Sequence, residues 1–351
     1  MSASAAWASE RSMSAGEWFG ETPQGEEVRR VTISGGGLTA SVIGWGAAVQ
    51  DLRLAGHAPP LVLGFEEFDH YPAHSPYFGA IAGRYANRIG GARFVLDGRR
   101  VDTDANFLGK HSLHGGGRGF GKRVWTFADA GPDFATLTLH SADGDMGFPG
   151  ALDATCTYRL APPGNLVVEL SATCESPTLC NLAHHSYFNL DDGGAGPILD
   201  HRLMLPAGAY LPVDDELIPT GVVQPVDGTP FDFRMARPIR WGEGDDQIVY
   251  DHNFCLASQR GPLRQAAWAQ GAVSGIEMEC WTTEPGVQFY AGHKVARDVP
   301  GLGGRSYGAH AGFCLEPQVW PDSPNRPYFP QAVLKPGEAY RQTTEYRFRL
   351  G

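Results

Sequence analysis

A side chain that moves protons near neutral pH works best where water is excluded and its neighbours hold it still, and one carboxylate in this chain is framed that way. Glu316 lies in the run Phe313-Cys314-Leu315-Glu316-Pro317-Gln318-Val319-Trp320-Pro321-Asp322, among apolar side chains. If the run is a strand, Cys314 and Glu316 share one face and Phe313 and Leu315 the other, so Glu316 points away from the apolar pair and into an opening. Pro317 has no N–H and is expected to stop ladder donation there. The structural alternative is a carboxylate at a strand end paired with an arginine.

Imidazoles are the natural partners of such a group. In Ala183-His184-His185-Ser186-Tyr187-Phe188-Asn189 the two histidines face opposite ways if extended, so only one of them can line a site; His185 goes with Tyr187 and Asn189. His114 precedes Gly115-Gly116-Gly117, where backbone or ligand can come close. Asp251 in Tyr250-Asp251-His252-Asn253 and Gln288 in Gly286-Val287-Gln288-Phe289-Tyr290 add polar groups, each also readable as an ordinary turn or strand-edge residue. A metal centre is not expected, because no H-x-H, H-E-x-x-H or C-x-x-C supplies a local ligand pair. Cys314 is a poor nucleophile, since Glu316 two residues away raises the thiol pKa.

These groups must be positioned by strands. Alternating runs recur from residue 28 onward, separated by Gly-rich turns, and the end of the chain alternates Tyr340, Gln342, Thr344, Tyr346, Phe348 and Leu350 against Arg341, Thr343, Glu345, Arg347 and Arg349. Asp97-Gly98 reads as a hairpin turn. Residues 179–190 read as one strand and residues 263–270 as the one helical patch. Even spacing of so many strands predicts an all-β fold, a large antiparallel β-sandwich. With no linker evident, residues 1–20 are read as a loose leader and residues 21–351 as a single domain.

Composition narrows the partners. The 351 residues carry 46 Gly and 26 Pro with 42% apolar residues, which is turn-rich yet able to bury a core. A net charge of −11 without a basic cluster argues against nucleic acid and anionic membrane. The six cysteines sit in apolar runs and read as reduced thiols in a cytoplasmic protein, a monomer or homodimer. No apolar run reaches membrane-spanning length, and the first residues lack the basic start and apolar core of a signal peptide.

Six stretches taken together resemble the aldose 1-epimerase (galactose mutarotase) family: Gly83-Arg84-Tyr85-Ala86-Asn87-Arg88-Ile89; Leu113-His114-Gly115-Gly116; His185-Ser186-Tyr187-Phe188-Asn189-Leu190; Asp251-His252-Asn253-Phe254; Gly286-Val287-Gln288-Phe289-Tyr290; and Leu315-Glu316-Pro317-Gln318 with Pro321-Asp322, Asn325 and Phe329-Pro330. The resemblance implies a galactose mutarotase-like supersandwich with a sugar cleft, and interconversion of the α and β anomers of a free aldose without a cofactor. It implies Glu316 as general base on the C1 hydroxyl, His185 as general acid at the ring oxygen, and His114 as a second histidine near the reacting centre. Arg88, Asn87, Asp251 and Gln288 would hold hydroxyls and orient the base. His184 departs from the family pattern, which more often has Asn before the catalytic histidine.

The chemistry required agrees. Opening a hemiacetal takes a proton from one oxygen and delivers one to another on the same carbon, which a carboxylate and an imidazole can do. At their ordinary pKa values the two are ionised and protonated together only in a window near neutrality. Trp45, Trp125, Tyr187 and Trp320 are candidates to cover the C–H face of a sugar. Other classes remain open from sequence: a glycoside hydrolase using Glu316 and Asp251, a non-catalytic sugar-binding module, and a phosphosugar epimerase, the last without an added basic cluster to meet a phosphate.

Overall fold

A computed structural model of the chain describes residues 16–242, 244 and 247–351. Three antiparallel sheets dominate it. Strands Glu17–Glu21, Glu27–Gly35, Leu38–Ile43 and Ala48–Leu54 form a meander in chain order. A nine-stranded sheet runs in the order Thr126–Ala130, Phe134–Ser141, Leu152–Ala161, Asn165–Cys174, Tyr340–Arg349, Glu277–Thr282, Arg264–Gln270, Arg202–Met204 and Arg237–Pro238. The third has five strands, Gln224–Pro225, Ala209–Tyr210, Asp251–Cys255, Gly286–Tyr290 and, at its edge, Cys314–Gln318.

Period-two patterning explains how the sheets stack. Tyr340, Gln342, Thr344, Tyr346 and Phe348 are buried, while the residues between them are exposed or half-buried. Leu350, which the pattern assigns to the buried set, lies beyond the strand and is 56% exposed. One continuous apolar cluster joins Ile33, Leu52, Leu137, Tyr158, Leu166 and Phe348 with Val287, Phe289 and Leu315, so all three sheets share it. Each large aliphatic or aromatic side chain buried there contributes about 1.5–3 kcal/mol.

Three expectations need correction. The boundary at residue 20 falls inside a strand: Glu17–Glu21 pairs with Glu27–Arg30, and Phe19 is buried edge-on to Phe68 and Tyr71. Residues 1–15 lie outside the described residues. The helix expected at 263–270 is the strand Arg264–Gln270, paired on both sides. A register shift between Gln265 and Ala267 buries Ala266 and Ala267 together, which breaks the alternation and leaves alanine's helix preference as the visible signal; pairing overrides it. Residues 179–190 are not one strand but the short strands Thr178–Leu179 and Ala183–His184 followed by isolated bridges. The segment passes between the sheets and is buried throughout, so its side chains secure neighbouring backbone: Asn181 bonds the carbonyl of Ala86 and the N–H of Val319.

Candidate active site

The site begins with the edge strand Cys314–Gln318. Glu316 lies directly opposite Gln288, and Cys314 opposite Tyr290. Pro317 does not end the ladder: pairing continues to Gln318 opposite Gly286. At the outermost position of a sheet the missing N–H costs no ladder bond. The carbonyls of this strand are held from behind by the nine-stranded sheet, where Tyr346 Oη donates to Leu315 O at 2.9 Å and Gln342 Nε2 to Pro317 O at 2.9 Å. Glu316 is thus fixed by a sheet it does not belong to.

His185 meets it from the buried segment, its own backbone bonded to Ala80 and Gly79. Nε2 is 3.4 Å from Glu316 Oε2, and Nδ1 is 3.5 Å from Cys314 Sγ. The ring lies stacked near Tyr77 at 5.8 Å and Tyr187 at 5.1 Å between centroids. His184 faces the other way, with Nδ1 3.3 Å from Tyr158 Oη and its ring 5.6 Å from that of Tyr346. Burial pushes its pKa down to about 3, so it places no charge behind His185 near neutral pH.

His114 is locked to Asn87 by reciprocal bonds: its N–H donates to Asn87 O at 3.0 Å, and its Nδ1 accepts from Asn87 N–H at 3.2 Å. An accepting Nδ1 on a neutral ring leaves the proton on Nε2. Both residues have left-handed backbones, φ 50° for His114 and 65° for Asn87, a strain that persists where the surroundings enforce it. Gly115 makes the turn fit, because a Cβ there would stand 2.1 Å from Gly83 O.

On the adjoining wall Arg88 Nη2 reaches Asp251 Oδ2 at 3.2 Å, Gln288 Nε2 donates to Asp251 Oδ1 at 2.7 Å, and the guanidinium covers the Phe107 ring at 4.9 Å. Asn87 Oδ1 accepts from the Arg88 N–H. Arg88 Nε, Gln288 Oε1 and Glu316 Oε2 are buried atoms without a hydrogen-bond partner, a pattern suited to a ligand rich in hydroxyls. All seven expected residues come together: Glu316, His185, His114, Arg88, Asn87 and Asp251 line one cleft of about 220 Å3, and Gln288 supports it through Asp251.

The aromatic frame was only partly foreseen. Tyr187 lines the cleft, whereas Trp125 is buried against Phe120, Trp45 packs on Phe68 and Trp320 on Phe329. Tyr77, Phe107, His293 and Lys294 also line it and were missed. Their loops carry no alternation or spacing to single them out.

Burial sets the charges. It raises the Glu316 pKa well above the ordinary carboxylate value, with Asp251 adding to it and Arg88 opposing. It pushes His185 down to about 4 and His114 well below an ordinary imidazole. Asp251 resists the same burial because Arg88 and the Gln288 hydrogen bond hold its pKa below the ordinary value. Burial thus works against the expected pairing of carboxylate with imidazolium and favours the proton on Glu316 with His185 neutral. His114, His185 and Glu316 offer ligand atoms within 4.8 Å of one another. The donor set does not suit a three-ligand metal centre, however, since His114 Nε2 presents a proton and not a lone pair.

A buried carboxylate–imidazole pair, a hydrogen-bonding wall of Arg88 and Asp251 and aromatic rings at the sides, all on an antiparallel supersandwich, have the composition an acid–base isomerase of sugars requires. Residues 29–347 match the family described as Aldose 1-epimerase. Galactose mutarotase of Rattus norvegicus is 42% identical over 341 residues, covering 95% of this chain and 97% of its own. Aldose 1-epimerase of Haemophilus influenzae is 36% identical over 343 residues, covering 93% and 97%. The crystal structure of an aldose epimerase homologue from C. elegans superposes with a TM-score of 0.86 at 30% identity, covering 92% of this chain and 99% of that one. The chain belongs to the aldose 1-epimerase family.

Proposed function

We propose that Glu316 is the general base and His185 the general acid with which this aldose 1-epimerase interconverts the α and β anomers of free aldoses. The observation that carries the assignment is the 3.4 Å approach of Glu316 Oε2 to His185 Nε2 on the floor of a hydroxyl-binding cleft. The pair holds one exchangeable proton. With sugar bound and that proton on His185, the carboxylate takes the C1 hydroxyl proton while Nε2 delivers its own to the ring oxygen, and the C1–O5 bond breaks. The pair is then left as carboxylic acid and neutral imidazole, the state that burial favours. Rotation about C1–C2 turns the other carbonyl face toward O5, and the transfers run in reverse. His114 donates from Nε2 to oxygen at the reacting centre, while Arg88, Asp251 and Asn87 grip hydroxyls and Gln288 orients Asp251.

Polarimetry or NMR exchange on fresh α-glucose, α-galactose, xylose and arabinose tests this. Glu316→Gln and His185→Asn are each expected to lower the rate by roughly 10²–10⁴-fold. Near-wild-type turnover in either folded variant would remove that residue from its role. A glycoside hydrolase with Glu316 and Asp251 is disfavoured, because the second carboxyl would have to attack the anomeric carbon or activate water, and both Asp251 oxygens are already engaged by Arg88 and Gln288. All six cysteines are free thiols, which supports work in the reducing cytoplasm. Among the described residues no helix is long and apolar enough to cross a membrane. A monomer or homodimer is the assembly we propose, and light scattering would decide between them.

A further inference from the structure

We propose that Cys314 is a positioning residue for the proton transfer: its sulfur holds the Nδ1 proton of His185 in place, so that Nε2 alone exchanges protons with the sugar. The proposal rests on His185 being the general acid. Cys314 and Glu316 are two apart on one face of the edge strand, and the imidazole lies between them, with Sγ 3.5 Å from Nδ1 and Oε2 3.4 Å from Nε2. One strand therefore holds both ring nitrogens. An imidazole that gives its Nε2 proton to the ring oxygen and later takes one back must carry a lone pair on Nε2 in between, which in the neutral ring requires the proton on Nδ1. That proton needs an acceptor. The His185 carbonyl, which accepts from Gly79 N–H, offers the ring its second lone pair, and the fully buried sulfur is the side-chain atom within reach.

The choice of sulfur matters. A carboxylate on Nδ1 would stabilise the imidazolium and make it a weaker acid; a thiol accepts weakly and carries no charge. The titratable groups facing His185 are Glu316 and Cys314 from the edge strand, Asp251 from the strand Asp251–Cys255, His114 from its Gly-rich turn, and Tyr77 and Tyr187 on either side of the ring. Among the described residues, Cys314 is the side chain within hydrogen-bond distance of Nδ1.

Steady-state anomerisation across pH, on wild type, C314S and C314A, tests this. Losing one weak hydrogen bond is expected to lower kcat in C314A by roughly 3- to 10-fold with KM little changed. The hydroxyl of C314S restores most of the rate. Because oxygen accepts more strongly, C314S moves the acid limb of the kcat profile upward in pH, and C314A moves it downward. A packing role would lower kcat without moving the limb, and an unmoved limb in both variants overturns the proposal. Should C314A fail to fold, nitrogen-15 NMR of the wild-type histidines still decides: His185 is expected as the Nδ1–H tautomer, and the Nε2–H tautomer would refute it. Wild-type protein inactive on every aldose would instead count against the acid–base reading itself.

Discussion

Glu316 and His185 differ from free side chains chiefly in how little water reaches them, with 2% and 5% of their surface exposed. That fixes the pH dependence. The proposed mechanism needs one proton on the pair. Below about 4 His185 is protonated while Glu316 keeps its own proton, so no base remains. As pH rises through the elevated pKa of Glu316 the last proton leaves and no acid remains. A bell-shaped profile of kcat/KM is expected, with an acid limb near 4 and an alkaline limb displaced well above an ordinary carboxylate, the two apparent constants belonging to the pair. An alkaline limb at the ordinary carboxylate value would contradict the burial argument. From sequence the partners were legible, since alternation put Cys314 and Glu316 on one face and allowed only one of His184 and His185 into the site. The location of the proton was not, because it depends on how completely the folded chain excludes water from both groups.

At the scale of the element, the edge strand is anchored crosswise. Tyr346 and Gln342 belong to the strand Tyr340–Arg349, and their side chains take up the carbonyls of Leu315 and Pro317 on either side of Glu316. Tyr346→Phe keeps the ring and leaves one buried carbonyl unpaired, so thermal or denaturant unfolding is expected to show a loss of about 1–3 kcal/mol. The variant is also expected to lose kcat more than KM, because the carboxylate it loosens is the proposed base, which acts in the transition state. Unchanged stability would mean that the strand is held by packing alone. The alternation of the last strand announced which side chains point inward, including the polar Gln342, yet the address of those polar groups was invisible: a hydrogen bond between residues 31 positions apart, such as Tyr346 to Leu315, leaves no local pattern. Tyr77 was missed for the same reason, since it reaches the cleft from a loop with φ 71°.

The whole molecule carries a net charge of −11, but an uncharged sugar feels no steering from it. The value of kcat/KM for glucose or galactose is therefore expected to change less than about 2-fold between roughly 0.01 and 0.5 M salt, over which the Debye length falls several-fold. A steep salt dependence measured on neutral aldoses would imply that ion pairs such as Arg88 with Asp251 open during binding. Fold class followed from strand spacing and turn composition because they are local signals repeated along the chain. The Ala-rich strand Arg264–Gln270 escaped because its conformation is imposed by neighbours on both sides.

In the proposed mechanism the single hydrogen ion shared by Glu316 and His185 also fixes what kind of catalyst this is. Whichever hand of the sugar departs, the protein is left with the composition it had on arrival, so no regeneration step separates one turnover from the next. Forward and backward passage are quickened by one common factor, and the resting proportion of the two anomers stays that of the sugar in water.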